Sequence, residues 1–291
     1  MCWDDICLRS KIHEEKKPVL ILCFLGVLCG VTFSVAQDSS TLSSRIDAMG
    51  SLNWREKLRV VDEISQEHAS ISEQEKRNLL QVFEKDVLFR RNYLEAPRAK
   101  GLADSAPGRF SEENPGYDRY VVRLAHLASS WKDAKTVPLL LTAMEEYGGA
   151  VVPSHITSIG PKAVYALLDV WRGPNERLRR TAIATLSIWV HAPLSAEDYT
   201  LTPEMAIRDE KILNLVKTAL LEASDDSDGG VRLGAVYGLE AFPEAKVVAV
   251  LRHLQQSDPY YLLLQEGGKA VFPVRERAKE ALEKIKAGAQ R

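Results

Sequence analysis

An acidic turn in the C-terminal half places three carboxylates within four residues. It reads Asp225-Asp226-Ser227-Asp228-Gly229-Gly230. An EF-hand calcium loop needs acidic or amide side chains at alternate positions and a Glu at the twelfth. Ser227 and Gly229 occupy two of those alternate positions, and no Glu follows at the twelfth position from Asp225 or Asp226. We therefore interpret the segment as a turn in which Asp228 caps the following helix.

The histidines beyond residue 36 are isolated in sequence, and no two have the spacing of a metal site. They are His68, His126, His155, His191 and His253. The cysteines all precede residue 37, at positions 2, 7, 23 and 29, so the rest of the chain has no thiol nucleophile, disulfide or cysteine metal site. No serine-nucleophile, phosphate-loop, zinc-protease or dinucleotide motif occurs. We predict no catalytic, cofactor-binding or metal-binding residue, and no enzyme activity.

The elements around the acidic turn follow a pattern that occurs three times in the C-terminal half. An apolar residue is followed by Arg, and apolar positions then recur so as to form one stripe on an α-helix. The three copies are Leu178-Arg179-x-x-Ala182-x-x-x-Leu186, Val231-Arg232-x-x-Ala235-x-x-x-Leu239 and Val274-Arg275-x-x-Ala278-x-x-x-Leu282. Each copy has an upstream apolar helix, so the pattern predicts repeated helix pairs whose buried core includes the Ala and Leu positions.

This segment resembles the bacterial HEAT-like repeats, which implies an all-α fold of the α-α superhelix (solenoid) type. In that family a polar residue four positions before the Arg commonly joins a ladder of hydrogen bonds along the stack. The resemblance thus implies ladder roles for Asn175 with Arg179 and for Asp228 with Arg232. Val271 stands four positions before Arg275, so the ladder is expected to break there.

The first 36 residues have the composition of an export segment. Residues 19–36 carry no charge and follow Lys16-Lys17, and Ser34-Val35-Ala36 fits a signal-peptidase site that cleaves before Gln37. The run is also just long enough to be a single-span anchor. We expect either a periplasmic or secreted protein, or one that is membrane-anchored and faces out of the cytoplasm.

The remaining chain divides by composition. Residues 37–96 predict an N-terminal helical cap that resembles a divergent repeat, including a capping box of Ser72 and Glu75. Residues 97–116 contain three Pro and three Gly without apolar periodicity, and we predict a loop, with disorder as the favoured interpretation. Residues 117–291 form the predicted repeat array.

Two surfaces are predicted to contact a partner. The last repeat carries an insertion, 257–273, in which Tyr260, Tyr261 and Phe272 stand where a turn is expected. The insertion either covers the open end of the array or forms an exposed aromatic patch that docks a protein. Arg177 and Arg180 give the second repeat a basic edge that could meet an acidic partner.

We expect an exported, non-enzymatic scaffold that presents a helical surface to another protein, without a cofactor. A formal net charge of −2 gives no electrostatic case for nucleic acid. Two alternatives stay open. One is an enzyme on the same scaffold, since the resembled repeats also occur in bilin lyases that act on small molecules. The other is a membrane-anchored structural protein of the envelope.

Overall fold

The computed structural model describes residues 41–67, 71–99, 107–147, 153–191, 207–263 and 270–288. Within these ranges the chain forms thirteen α-helices, two short 3₁₀ turns and a single pair of short strands. The prediction of an all-α fold is confirmed. Residues 1–36, the predicted export segment, and His68 lie outside the described residues. None of the described helices has both the length and the apolar character of a membrane span.

The helices follow one another along the chain as α1 (Leu42–Ala48), α2 (Trp54–Glu67), α3 (Glu73–Ala99), α4 (Pro107–Glu113), α5 (Tyr117–Ser130), α6 (Val137–Tyr147), α7 (Pro153–Thr157), α8 (Lys162–Trp171), α9 (Glu176–His191), α10 (Glu210–Ala223), α11 (Gly229–Leu239), α12 (Ala245–Ser257) and α13 (Pro273–Gly288). The 3₁₀ turns are Met49–Ser51 and Ala134–Thr136, and the strands are β1 (Leu262–Leu263) and β2 (Ala270–Val271).

The N-terminal helices pack around a buried ion pair. Lys57 of α2 donates to both carboxylate oxygens of Asp86 on α3, at 2.8 Å each, and both side chains are almost wholly buried. The Tyr120 hydroxyl on α5 donates to the same carboxylate at 2.7 Å. The Lys57 ammonium also lies 4.4 Å from the centre of the Trp54 ring. One carboxylate therefore joins three helices.

The segment between residues 97 and 116 differs from the predicted loop. Helix α3 continues to Ala99, and α4 occupies residues 107–113. Phe110 of α4 is fully buried, and its ring lies edge-on to Tyr117 with 5.0 Å between ring centroids. Pro107 is compatible with this helix because proline is tolerated in the first turn, where its missing N–H has no intrahelical acceptor. A single apolar residue thus holds a short helix that has no periodic apolar stripe.

The C-terminal helices pack in successive pairs: α8 on α9, α10 on α11, and α12 on α13. The second helices also contact one another, α9 with α11 and α11 with α13. Of the predicted core positions, five are completely buried and the last is half-buried. They are Ala182, Leu186, Ala235, Leu239 and Ala278, and then Leu282. In the final helix Ala281 takes the fully buried position next to Leu282.

Gly238 of α11 allows this close packing. A β-carbon at Gly238 would lie 2.6 Å from the Ser187 hydroxyl and 2.7 Å from Leu220. The Ser187 hydroxyl itself donates to the main-chain oxygen of Gly234, at 2.7 Å. Helix α11 therefore lies tightly between α9 and α10, and glycine is required at 238 for reasons of space.

Candidate partner-binding site

The insertion between α12 and α13 forms a small β-hairpin. Strand β1 pairs antiparallel with β2, with Leu262 opposite Val271 and Leu263 opposite Ala270. A two-stranded hairpin is at best marginally stable in isolation. Its position therefore depends on contacts at its base.

Asp258 supplies the main contact at the base of the hairpin. Its side chain is buried, with 2% of the residue exposed. The carboxylate accepts from Arg232 Nε at 2.6 Å and Nη2 at 3.1 Å, and from the Tyr260 amide at 2.9 Å. Its main-chain oxygen accepts from Arg275 Nε at 2.6 Å. The hydrogen bonds that Arg232 donates to Asp258 raise the pKa of Arg232, so the guanidinium stays charged.

Tyr260 lies two residues before β1 and packs against the helices, which anchors the start of the hairpin. A β-carbon at Gly229, the first residue of α11, would overlap the Tyr260 ring. The tyrosine is half-buried and packs on the hydrophobic core. The insertion thus closes over the start of α11 through this one ring.

The residues that follow Tyr260 project outward. Tyr261, Leu262 and Leu263 are 55%, 48% and 64% exposed. The Tyr261 ring lies 6.2 Å from that of Phe272, and the Arg275 guanidinium lies 4.3 Å from the centre of the Phe272 ring. We call Tyr261, Leu262, Leu263 and Phe272 the hairpin patch.

The two interpretations of the insertion therefore apply to different residues. Tyr260 covers apolar surface of the fold, whereas Tyr261 and its two neighbours remain open to solvent. Three consecutive large apolar side chains in solvent are unusual for a surface loop and are typical of contact sites.

The predicted basic edge is mostly neutralised within the chain. Arg180 donates to both oxygens of Asp228, at 3.1 and 2.7 Å, and this hydrogen bonding raises the pKa of Arg180. Partial burial raises the pKa of Asp228, but hydrogen bonds from Arg180 and the Val231 amide outweigh it and hold that pKa below its usual value. Arg177 is exposed, and it forms no ion pair with any residue that the structure describes. Only Arg177 of the two is open to an acidic partner.

The arginines of the repeated pattern bond to carboxylates of the next unit. Arg179 contacts Asp226 at 3.3 Å, and Arg232 contacts Asp258 across 26 residues. Asp228, expected to pair with Arg232, instead bonds Arg180 and caps α11 through the Val231 amide at 2.8 Å.

At the two ends of the predicted ladder the arrangement also differs from expectation. The Asn175 side-chain oxygen accepts from the Leu178 amide at 3.3 Å and caps α9. Among the described residues, the side chain of Arg179 instead donates to the Pro174 main-chain oxygen and to Asp226. The expected break at Arg275 is bridged, because the main-chain oxygen of Asp258 replaces the missing carboxylate.

Sequence reasoning missed Asp258 and Gly229. Asp258 lies within the insertion, far in sequence from both arginines that it binds, and nothing in its local sequence marks it as buried. The sequence pattern places Gly229 only in the acidic turn, whereas its lack of a side chain is what leaves room for the Tyr260 ring.

No group of three or more His, Cys, Asp or Glu side chains in the described ranges is placed to hold a metal ion. The His126 and His155 rings lie near one another, 6.3 Å between centroids, while His253 is exposed on α12. His191 is buried at the end of α9, where its Nε2 bonds the Tyr237 main-chain oxygen at 2.6 Å.

Comparison with protein-family models finds no match, and comparison with curated proteins finds no similar sequence. The function must therefore be argued from the residues of this chain.

Proposed function

We propose that this chain is an exported HEAT-like α-solenoid that binds another protein through the hairpin patch and carries out no catalysis. Successive helix pairs, contacts between their second helices, and arginine–carboxylate bonds between units support a stacked-repeat arrangement. The uncharged run 19–36 in the sequence supports export.

The proposal depends on two features of the hairpin. Its base is held in place by buried contacts, and its first strand and the residue before it expose consecutive apolar side chains. Asp258 and Tyr260 hold the hairpin in place, so the patch loses little conformational freedom when a partner binds. Tyrosine and other aromatic side chains are enriched at protein interfaces, and leucine adds apolar area next to them.

Site-specific photo-crosslinking tests this role. A benzoylphenylalanine at position 261 should give a defined protein adduct in cells that express the full chain. The control is the same probe at Tyr165, which is similarly exposed at 52% but lies on helix α8. An adduct from position 261 alone supports the proposal. Equal adducts from both positions, or none from 261, contradict it.

Compartment is tested separately by intact mass and cell fractionation. A mass that begins at Gln37 in the soluble envelope fraction supports a free exported scaffold. Full-length protein in the membrane fraction supports a single-span anchor, and the partner should then be sought among membrane assemblies. A cytoplasmic full-length protein contradicts export. A small molecule that copurifies in stoichiometric amount would favour the lyase-type alternative.

A further inference from the structure

Arg275, near the start of α13, is held beside the hairpin patch by two contacts of its guanidinium. Its Nε donates to the Asp258 main-chain oxygen at 2.6 Å, and its central carbon lies 4.3 Å from the centre of the Phe272 ring. Asp258 is buried, whereas Phe272 and Arg275 are half-buried. The guanidinium is therefore fixed in position before any partner binds.

These two contacts leave the charge of Arg275 uncompensated. The oxygen that accepts from its Nε belongs to the main chain, and the Asp258 carboxylate is already paired with Arg232. Arg275 forms no ion pair with any residue in the described ranges, whereas its neighbour Arg277 pairs with two glutamates. Arg275 thus differs from the other arginines around the base of the hairpin.

The two terminal nitrogens of Arg275 are open to solvent. The guanidinium makes its one hydrogen bond to a described residue through Nε. Some arginine nitrogens in the described chain are buried without a hydrogen bond, such as Nε of Arg179 and of Arg277, but neither terminal nitrogen of Arg275 is among them. Both therefore reach the surface, as a planar pair of donors that matches the two oxygens of a carboxylate.

The nearest charged residues on α13 do not cancel this charge. Glu276 is exposed, but successive residues of an α-helix point about 100° apart. No ion pair joins Glu276 to Arg275. Lys279 is one turn further along the same helix face as Arg275, and it is also exposed. The edge of the hairpin patch next to α13 is therefore positively charged.

The guanidinium and the apolar rings lie close enough to contact one segment of a partner. The Phe272 ring, 4.3 Å from the guanidinium carbon, lies 6.2 Å from the Tyr261 ring. In an extended chain, side chains two residues apart share a face and are roughly 6.6 Å apart. A segment whose acidic side chain bonds Arg275 can therefore place a neighbouring apolar side chain on Phe272 and Tyr261.

We propose that the protein partner of the hairpin patch is recognised through a carboxylate side chain that bonds Arg275, with a large apolar side chain beside it on Phe272 and Tyr261. Charge complementarity selects this occupant, because a fixed guanidinium binds a single carboxylate through two parallel hydrogen bonds. The inference rests on the proposed protein-binding function and adds the chemistry of the partner.

Other anionic partners fit this edge less well. Phosphorylated segments are generally bound by clusters of arginines. Anionic membranes are bound by groups of about four to eight basic residues, more than the pair of Arg275 and Lys279 supplies. A single carboxylate matches the one guanidinium that is held in place.

Selection of random peptides displayed on phage, with the full-length protein as bait, tests this chemistry. Peptides retained by the wild type but not by Leu262→Ser/Leu263→Ser are those that need the hairpin patch. Among them, Asp or Glu next to a large apolar residue should be enriched over the unselected library. Selection on Arg275→Gln should lose the acidic enrichment. Patch-dependent peptides without acidic enrichment, or no patch-dependent peptides, would overturn the proposal.

Fluorescence anisotropy then isolates the contribution of the charge. A selected peptide is compared with the same peptide in which its acid is replaced by the corresponding amide. The amide form should bind the wild type about tenfold more weakly, because it loses the charge-assisted pair. Arg275→Gln should bind the two forms equally. A loosened hairpin would weaken both forms alike, so the ratio of the two affinities reports on the ion pair alone.

Lys286→Gln is the matched control for this ratio. It removes an exposed positive charge from the same helix, eleven residues from Arg275, or roughly 16 Å away at 1.5 Å per residue. The tenfold preference for the acid should persist in Lys286→Gln. An unchanged preference in Arg275→Gln, or an equal loss in both variants, rejects Arg275 as the contact.

The two proposals fail separately. A partner crosslinked at position 261 with equal yield in the wild type and in Arg275→Gln retains the hairpin patch and rejects the acidic contact. No adduct from position 261, together with an acid preference that depends on Arg275, rejects the cellular partner and retains the specificity of the site. Phosphatidylglycerol vesicles test a membrane: cosedimentation that needs Arg275, without selection of acidic peptides, would overturn the proposal.

Discussion

Tyr260 packs its ring directly on the backbone of Gly229, and the contact leaves no room for a β-carbon there. Helix α11 begins at this glycine, so the start of one helix and the base of the hairpin share a single contact. The relationship ties the position of the hairpin patch to the identity of residue 229.

Gly229→Ala should therefore displace Tyr260 and loosen the hairpin. We expect faster amide hydrogen exchange at residues 260–263, with little change in the N-terminal helices. Gly229→Ala/Tyr260→Ala should return folding stability towards that of Tyr260→Ala alone, since the overlap is removed. Gly50→Ala is the control, because nothing lies within 4 Å of a β-carbon at that position. Unchanged exchange in Gly229→Ala would show that the contact does not hold the hairpin.

Truncation of the repeat leucines tests the core. Leu186→Ala and Leu239→Ala should each cost about 2–5 kcal/mol of unfolding free energy, because both side chains are completely buried. Leu282→Ala should cost less, since Leu282 is only half-buried. Denaturant melts measure all three, with the exposed Leu263→Ala as a control of about zero cost. The repeat-core assignment fails if Leu186→Ala and Leu239→Ala behave like the control.

Loss of Asp258 should be among the most costly polar changes in the C-terminal half. Asp258→Ala leaves the nearly buried Arg232 guanidinium without its carboxylate, and breaking a buried pair costs about 3–5 kcal/mol. Glu176→Ala removes an exposed partner of Arg180 and should cost about 0–1 kcal/mol. Thermal or denaturant melts compare the two variants. A similar small loss in both would mean that the Asp258 contacts contribute little.

For the buried ion pair of Lys57 and Asp86, removing one partner should cost more stability than replacing the whole polar group. Lys57→Met alone should destabilise by about 3–5 kcal/mol, because it leaves the buried Asp86 carboxyl without its cationic partner. The triple variant Lys57→Met/Asp86→Leu/Tyr120→Phe should recover most of that loss. The tyrosine must change as well, since its hydroxyl otherwise loses its acceptor. If the triple variant is no more stable than Lys57→Met, the loss in Lys57→Met does not come from leaving a buried carboxyl unpaired.

His191 should make stability depend on pH. Burial lowers the pKa of His191, outweighing the opposing effects of the Tyr237 carbonyl and Glu240; Arg277 and Lys284 lower it further. The unfolded chain therefore takes up this proton first as pH falls. Stability should be full above about pH 6.5, the ordinary value for histidine, and decline as pH falls below it.

Denaturant melts from pH 5 to 8 measure the effect. His191→Gln can keep an N–H donor for the Tyr237 oxygen and should remove the slope in this range. His253→Gln, at an exposed site on α12, should leave it unchanged. The same slope in wild type and His191→Gln would exclude His191 as its origin.

The sequence predicted the long helices well because their apolar stripes dictate both conformation and the buried face. Leu186 and Leu239 lie where that periodicity places them. Helix α4 was missed because only Phe110 anchors it, and one buried ring leaves no periodic signal. A tertiary contact of this kind becomes visible only when α3 and α5 are in place.

The site could be predicted only in outline. Aromatic residues in an insertion pointed to the hairpin, but composition alone did not separate the inward Tyr260 from the outward Tyr261. That difference depends on Gly229, which lies some thirty positions earlier in the chain. The sequence likewise predicts arginine–carboxylate pairs from residue type. Which carboxylate bonds which arginine depends on how neighbouring helices pack, and the sequence does not show this. Asp228 thus bonds Arg180 of the preceding unit, and Asp258 takes the place beside Arg232.

Asp258 also determines how a pulling force on the hairpin would spread. Its carboxylate is held by α11 and its main-chain oxygen by α13, so a load on the strands divides between two helices. Detaching the hairpin then requires several hydrogen bonds to break together, instead of one after another. A force applied at the hairpin patch would pull on α11 as well as α13, so the last helix would not peel away first.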